Sequence, residues 1–294
     1  MIRFLSASAL VLAGIGAAGA TGTPGAPPSA ERVPDAPGKA RWEPTYAKAR
    51  ERAQSEGRFV FVEFGEAACG NCARMDQLLY PAVNFEMMLL RMVPVKLDRT
   101  GAEGAALAER YGITESPAAL VVSAGGALVF RVNGFDDAND FYRHVSESVA
   151  EWDKLNVRLI HGGGDDPKEE LALGTALALR FDPEEAAPRF ARAAASEKAD
   201  PGTRDLARTY LAAAQFRMKR YEDSGKTIEE ILRTSKDPRV REQAELFRGQ
   251  LAVAEGRRED ARRTILAFLR EHPDSALAGN ARQMLTSIPA DSVR

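Results

Sequence analysis

The sequence predicts an α/β domain, with a central mixed sheet flanked by helices, followed by an all-α domain of helical repeats. Two observations carry this prediction. Between residues 42 and 150, short runs of aromatic and β-branched residues alternate with helical patterns. After the glycine-rich stretch HGGGDDP at 161–167, the composition shifts to Ala, Arg, Glu and Leu, and one helical pattern recurs three times.

The composition and charge of the chain restrict the classes of partner that we expect. Of the 294 residues, 45% are hydrophobic and 28% are charged, as in ordinary globular proteins long enough for two domains. The formal net charge is −2, whereas nucleic acids and anionic membranes attract a concentrated basic field. The sequence therefore predicts no nucleic-acid partner.

The first forty residues have the pattern of a targeting segment. Arg3 precedes an uncharged stretch rich in Ala, Leu, Val and Gly, which ends at the small residues 18–20. This pattern predicts a cleaved signal peptide over 1–20 and export to a periplasm. The alternative is an uncleaved membrane anchor, for which the segment is short. Residues 21–40 hold five prolines and predict a flexible linker.

The first elements of the α/β domain surround the two cysteines of the chain. A helix over 42–57 is closed by glycine, and the run RFVFVEFG at 58–65 is typical of a buried strand that leads into a tight turn. Cys69 and Cys72 follow directly, and helical spacing continues after them until Pro81. The pair therefore lies where a strand becomes a helix.

The later elements follow from the same signals. The run MVPVKLD predicts a second strand, and two further strands are joined through Gly125 and Gly126, a connection typical of hairpins. Helical spacing predicts one helix before these two strands and an amphipathic helix after them. The predicted strands are 92–98, 118–123 and 127–132, and the predicted helices are 103–111 and 137–150.

Several of these segments resemble the thioredoxin family, over about residues 42–150. The segment FVEFGEAACGNC is similar to the strand, turn and Cys-x-x-Cys of the family, and YGITESPAALVV is similar to its cis-proline segment. Gly134 matches the glycine after the family's hairpin. The resemblance implies a thioredoxin fold, most like periplasmic reductase-type domains. It also implies that Glu63 is the family's buried acidic residue and that Pro117 lies opposite the active site.

Cysteines at this position and spacing suit thiol–disulfide exchange. A helix N-terminus stabilises a thiolate, so Cys69 is the expected nucleophile, and Cys72, one turn later, is expected to resolve the mixed disulfide. Glu63, beneath the pair, would relay a proton to or from Cys72. The resemblance implies that Pro117 holds the preceding backbone extended for a substrate strand. The alternatives are a solvent-facing acid for Glu63 and an ordinary strand-start proline for Pro117.

Other roles of a cysteine pair fit this sequence less well. Zinc needs about four ligands, and the three histidines, His144, His161 and His272, lie far from the cysteines with no metal-binding spacing. A disulfide across so short a loop removes little chain entropy, which disfavours a purely structural bridge. We expect no metal and no cofactor.

The second half of the chain contains internal repeats. From Gly174 to Ala212 the interval is 38 residues, and from Ala212 to Gly249 it is 37. The pattern resembles the tetratricopeptide repeat, whose unit is about 34 residues. Three units and a terminal capping helix over 275–288 would form a stack that binds a protein or peptide. The alternative is that the repeats only stabilise or space the first domain. The recurring positions are Gly174, Leu177, Ala186, Phe190 and Ala193; Ala212, Gln215, Ser224, Ile228 and Ile231; and Gly249, Ala252, Ala261, Ile265 and Phe268.

These expectations combine into one functional hypothesis and one alternative. The predicted domains are a thioredoxin-like domain at 41–152, a linker at 153–167 and tetratricopeptide-like repeats at 168–294. The resemblance implies an exported thiol–disulfide oxidoreductase that reduces protein disulfides through Cys69 and Cys72, with a membrane electron donor and a protein partner on the repeats. The alternative is a chaperone-like or adaptor protein that uses a thioredoxin shell with little redox turnover.

Overall fold

The computed structural model describes residues 41–67 and 69–288. The predicted signal peptide over 1–20 and the predicted linker over 21–40 lie outside these residues. Within the described part of the chain, no helix is both long enough and apolar enough to cross a lipid bilayer.

The described residues form two compact units. We call the first the sheet domain; it comprises residues 41–163 together with residues 176–182. We call the second the helical domain; it comprises residues 164–175 and 183–288.

The sheet domain alternates strands and helices in the predicted order, with one additional helix. Its strands are β1 Phe59–Gly65, β2 Met92–Asp98, β3 Ala118–Val122 and β4 Leu128–Asn133. Its helices are α1 Tyr46–Glu56, α2 Gly70–Leu79, α3 Val83–Leu89, α4 Ala102–Tyr111 and α5 Ala138–His161.

The strands form a mixed sheet in the order β2-β1-β3-β4. β1 pairs parallel with β2 and antiparallel with β3, and β3 pairs antiparallel with β4. Every residue of β1 is buried, as expected of a central strand whose two faces are both covered. The predicted α/β class with a mixed sheet flanked by helices is confirmed.

The alternation of side chains along β1 decides to which face of the sheet Glu63 points. Successive residues of a strand point to opposite faces of the sheet. Val60, Val62 and Phe64 belong to a core cluster on one face. Glu63 therefore points to the other face, where Phe61 packs edge-to-face against further aromatic rings.

Two helices of the sheet domain differ from the sequence prediction. Helix α3 was not predicted because it is short, and Phe85, which stacks on Trp42, is one of only two buried residues among its seven. Helix α5 was expected to end near residue 150, but it continues through 153–161, which the prediction assigned to a linker. Trp152 and Leu155 are buried and extend the apolar face of α5 beyond the predicted end.

The C-terminal part of the chain is helical throughout its described length, which confirms the predicted all-α class. Its helices are α6 Pro167–Ala178, α7 Pro183–Ala195, α8 Pro201–Arg217, α9 Tyr221–Thr234, α10 Pro238–Ala254, α11 Arg258–Glu271 and α12 Ala278–Ser287. From α7 to α12 each helix packs on the next, and α8 also contacts α10. This packing is what a stack of helix pairs requires, and the tetratricopeptide assignment stays a prediction.

Several recurring positions of the sequence pattern lie where helices contact one another. One position per repeat is a fully buried small residue: Ala186, Ser224 and Ala261. A Cβ added at Gly174 would lie 2.7 Å from Cε1 of Phe190, and one added at Gly249 would lie 2.9 Å from Cγ1 of Ile265. These separations are too short for real carbon atoms, so the two glycines allow their helices to touch.

Candidate active site

The cysteine pair lies at the start of α2, just after the central strand. Cys69 is the N-cap residue of α2, and its Sγ accepts a hydrogen bond of 3.1 Å from the backbone N–H of Cys72. The two residues form a disulfide with an Sγ–Sγ distance of 2.10 Å. Cys72 is 7% exposed and Cys69 is more exposed. A helix N-terminus favours the thiolate form of a reduced cysteine at the position of Cys69.

Glu63 is a buried carboxyl group on the same end of β1. It lies opposite Lys96 of β2 in the parallel register, and Nζ of Lys96 is 2.7 Å from its Oε1. The side chain of Glu63 is 0% exposed, and the ammonium group of Lys96 lies against it. Burial raises the pKa of Glu63 to about 7, although the charge of Lys96 opposes this rise. The group therefore exchanges its proton near neutral pH.

Lys96 connects Glu63 to a second carboxylate at the surface. Its Nζ donates hydrogen bonds of 2.8 and 2.9 Å to the two carboxylate oxygens of Asp76. Asp76 lies on α2, one turn after Cys72, and 38% of its side chain is exposed. Burial lowers the pKa of Lys96, but the two carboxylates outweigh this effect, and its pKa is raised overall. The lysine stays charged between the two acids.

Gly65 leaves a gap between Lys96 and the buried sulfur. A Cβ placed on Gly65 would lie 3.8 Å from Cε of Lys96 and 3.9 Å from Sγ of Cys72. The lysine and the sulfur therefore face the same small space at the end of β1. A side chain larger than that of glycine at this position would fill the space between them.

Pro117 lies at the same end of the sheet. The antiparallel register of β1 and β3, carried one residue beyond its last pair, places Pro117 beside Gly65. The Ser116–Pro117 peptide bond is cis. The carbonyl of Pro117 accepts a hydrogen bond of 2.8 Å from the N–H of Gly134, whose φ of +80° favours glycine.

The structure brings the predicted site residues to one end of the central strand: Cys69, Cys72, Glu63 and Pro117. Sequence reasoning missed Lys96 and Asp76. A signal for Lys96 was present, because Glu63 is the fifth residue of FVFVEFG and Lys96 is the fifth residue of MVPVKLD. Opposite charges at matching positions of two apolar strands indicate a buried pair. Asp76 has no comparable signal, because its contact depends on how α2 lies on the sheet.

Among the described residues, one group has acidic and histidine side chains close enough together to share a metal ion. It consists of Glu245, Glu271 and His272 in the helical domain, and it includes neither cysteine. Nε2 of His272 already lies 2.9 Å from a carboxylate oxygen of Glu245.

A comparison with family models identifies the domain that carries the cysteine pair. The model described as thioredoxin-like matches residues 41–124. This range includes Cys69, Cys72, Glu63, Asp76, Lys96 and Pro117. Residues 41–124 form a thioredoxin-like domain. The thioredoxin-like domain has a disulfide-oxidoreductase type of fold and a Cys-x-x-Cys pair at the expected junction of strand and helix.

Solved structures similar to the thioredoxin-like domain cover about a third of this chain. A thioredoxin from Thermus thermophilus is 28% identical, with a TM-score of 0.34, and covers 37% of this chain and 85% of its own. A putative disulphide-isomerase from Bacteroides thetaiotaomicron is 25% identical, with a TM-score of 0.35, and the match covers 37% of this chain and 93% of that one. The oxidised C-terminal domain of DsbD from Neisseria meningitidis is 19% identical, with a TM-score of 0.31, and the match covers 35% of this chain and 90% of that one. No curated protein matches the chain.

Proposed function

We propose that the protein is an exported thiol–disulfide oxidoreductase that reduces disulfides of client proteins. The observation that carries this proposal is the arrangement around the pair. An accessible Cys69 at a helix N-terminus is followed by a buried Cys72, whose sulfur lies on the face of β1 to which Gly65 and Glu63 point. Glu63 is a buried carboxyl group with a pKa of about 7. A purely structural disulfide needs neither the helix N-terminus nor the buried acid.

The first half of the reaction takes place at Cys69. Its thiolate attacks one sulfur of a client disulfide, a bond forms between the two sulfurs, and the second client sulfur leaves as a thiolate. The helix N-terminus lowers the energy of the attacking thiolate, because unpaired backbone N–H groups point at it. The product is a mixed disulfide between the client and Cys69.

The second half of the reaction takes place at Cys72. Its thiol gives a proton to the carboxylate of Glu63, through the space that Gly65 leaves open, and the resulting thiolate attacks the sulfur of Cys69. The Cys69–Cys72 disulfide forms, the bond between Cys69 and the client breaks, and the client leaves as a thiolate. The client disulfide has then gained two electrons. A dithiol donor then returns two electrons to the pair. Lys96 stabilises the ionised form of Glu63 and Asp76 connects it to solvent.

The sequence patterns support the proposed compartment and partners of the protein. The signal-peptide pattern over 1–20 supports export to a periplasm, where a membrane protein is the expected source of electrons. The helical domain supports a docking role for a protein or peptide, because stacked repeats offer extended binding surfaces. Expression of the full chain in a Gram-negative host tests the first point, and periplasmic protein beginning near residue 21 is the expected result.

A client-reduction assay tests the proposed activity. The mature chain, supplied with dithiothreitol, should accelerate the reduction of insulin disulfides, and Cys69→Ser should abolish the acceleration. A reduction potential near the roughly −270 mV of thioredoxin supports the reducing direction, whereas a value near the roughly −120 mV of strong oxidants reverses it. A pair that does not cycle at all supports an adaptor that binds clients without redox turnover.

A further inference from the structure

Three polar side chains form a cluster on the rim of the cysteine pair. Glu66 precedes Cys69 by three residues, Arg99 directly follows β2, and Ser116 precedes Pro117. They come from three different loops at the same end of the sheet. We call Glu66, Arg99 and Ser116 the rim cluster.

The rim cluster is held together by one carboxylate oxygen. Oε1 of Glu66 accepts a hydrogen bond of 2.9 Å from the hydroxyl of Ser116 and one of 2.5 Å from Nε of Arg99, and Nη2 of Arg99 forms an ion pair with the same oxygen. Nε of Arg99 is also 3.3 Å from Oγ of Ser116. The Arg99 guanidinium, followed by the Ser116 hydroxyl, keeps the pKa of Glu66 below its ordinary value. The carboxylate is therefore charged at neutral pH.

Backbone hydrogen bonds connect the rim cluster to the cysteine loop. The N–H of Arg99 donates to the carbonyl of Gly65 at 2.9 Å, and the N–H of Cys69 donates to the carbonyl of Glu66 at 3.3 Å. A displacement of Ser116 relative to Cys69 must therefore break the side-chain contacts of Glu66. These contacts fix the distance between the segment before Pro117 and the reactive sulfur.

The backbone of Ser116 is available to a binding partner. Within residues 41–67 and 69–288, neither its N–H nor its carbonyl forms a hydrogen bond with another group of the chain. The residue lies just before β3 and is partly exposed. Unpaired backbone groups at the end of a strand are a common site for an extended peptide, which adds main-chain hydrogen bonds there.

We propose that the rim cluster is a positioning device for protein clients, which holds the backbone of Ser116 at the spacing from Cys69 that an extended client strand requires. This inference rests on the proposed reduction of client disulfides and adds to it. A protein client needs both the sulfur and the backbone site. A small disulfide needs the sulfur alone, because it has no strand to pair. The rim cluster therefore favours protein clients over small disulfides.

The test compares two substrates in the full mature chain. Insulin is the protein client, with dithiothreitol as the electron source. Dithiobisnitrobenzoate is the small disulfide; because dithiothreitol reduces it directly, the chain is reduced beforehand, freed of reductant and followed over a single turnover. Glu66→Ala and Ser116→Ala should each lower kcat/KM for insulin roughly tenfold, mainly through KM, because each removes a charge-assisted hydrogen bond. The rate with dithiobisnitrobenzoate and the reduction potential should stay unchanged. The double variant should lower kcat/KM for insulin little further than either single variant, because the three side chains act as a unit.

Two further variants separate this role from simple loss of a surface ion pair. Asp153→Ala removes the exposed two-point ion pair between Asp153 and Arg91 elsewhere in the sheet domain and should change neither rate. Glu66→Gln keeps an acceptor for Ser116 without the charge and should give an intermediate KM for insulin.

Each remaining outcome overturns the inference in a recognisable way. Equal losses with both substrates show that the rim cluster acts on the cysteine pair itself. Unchanged insulin kinetics in Glu66→Ala show that it is an ordinary surface cluster. A wild-type chain that reduces neither substrate removes the proposed function, and this inference with it.

Discussion

At the scale of single residues, the two cysteines differ in exposure, and this difference predicts which of them bonds to a client. Cys69 is accessible at the start of α2, whereas Cys72 is 7% exposed. In Cys72→Ala, we expect the mixed disulfide to persist because no second sulfur attacks it. Incubation with a disulfide client, followed by mass spectrometry without reductant, should detect the covalent complex. Cys69→Ala should give none, and a complex of similar yield in that variant would contradict the assignment of roles.

The buried carboxyl group of Glu63 predicts a pH-dependent stability. Its pKa is about 7 in the folded chain, against about 4.3 for an unperturbed glutamate. Between these values the folded state binds more protons than the unfolded state, so stability falls as pH rises, by roughly 3 kcal/mol in all. Glu63→Gln should remove most of this fall and make the oxidised chain more stable than wild type at pH 8. Urea unfolding at pH 5 and pH 8 measures how the free energy of unfolding changes with pH in the wild type and in Glu63→Gln.

A matched control for that experiment is Glu109→Gln, which neutralises an exposed carboxylate on α4 of the same domain. Its free energy of unfolding should follow the wild-type dependence on pH. If Glu63→Gln also follows it, Glu63 is ionised with an ordinary pKa in the folded state. The proton transfer proposed for Cys72 then has no acceptor of suitable pKa.

The gap at Gly65 predicts a kinetic effect of one methyl group. Gly65→Ala places a Cβ 3.8 Å from Lys96 and 3.9 Å from the sulfur of Cys72, which is ordinary contact without a clash. The methyl group should block proton exchange through this space and slow the resolution of the mixed disulfide several-fold, with little loss of stability. Gly70→Ala, whose Cβ would meet nothing within 4 Å, is the control. Single-turnover kinetics measure the step, and equal resolution rates in the two variants would contradict the proposed route.

At this scale the sequence predicted the candidate site residues that lie close to one another along the chain, and it missed those that come from distant elements. Cys69 and Cys72 follow β1 directly, and Glu63 lies within it, so one local pattern indicates all three. Lys96 and Asp76 are distant in sequence from Glu63, and their contacts depend on strand register and on helix placement. Strand register was readable from the two aligned apolar runs. The placement of α2 was not, because many side chains determine it together.

At the scale of elements, the close contact between α6 and α7 predicts a strong effect of a small substitution. A Cβ at Gly174 would lie 2.7 Å from the ring of the buried Phe190. Gly174→Ala should therefore destabilise the helical domain by about 1–3 kcal/mol through overpacking, although alanine favours helices by about 1 kcal/mol. Gly279→Ala, on α12 with open space around its Cβ, should be neutral or stabilising. Thermal unfolding compares the two, and equal effects would contradict a steric role for Gly174.

The two helices that the sequence did not predict correctly have a common cause. α3 has few buried side chains, and Phe85 owes its burial to aromatic rings contributed by other elements. The last turns of α5 carry the buried residues Trp152 and Leu155, and the guanidinium of Arg180, distant in sequence but within the sheet domain, lies over the ring of Trp152. Local periodicity identifies a helix only where the apolar stripe is long enough. In α3 and at the end of α5, contacts with other elements determine the helical structure instead.

At the scale of the whole molecule, the sheet domain is completed by a segment that follows it in sequence. Residues 176–182 belong to the same compact unit as residues 41–163. The N–H of Leu128, at the start of the edge strand β4, donates a hydrogen bond of 2.7 Å to the carbonyl of Arg180, and Nη1 of Arg180 donates one of 3.0 Å to the carbonyl of Leu128. The segment therefore covers part of an open sheet edge.

This arrangement predicts that the end point of a shortened chain decides its stability. A chain of residues 41–163 loses both hydrogen bonds at Leu128 and the edge-to-face contact of Phe181 with the ring of Tyr111. A chain of residues 41–182 keeps them. We expect the shorter chain to have a Tm lower by roughly 5 °C or more, since about 1 kcal/mol shifts a domain of this size by a few degrees. Calorimetry of the two oxidised chains measures the difference, and equal Tm values would show that the segment adds nothing to the sheet domain.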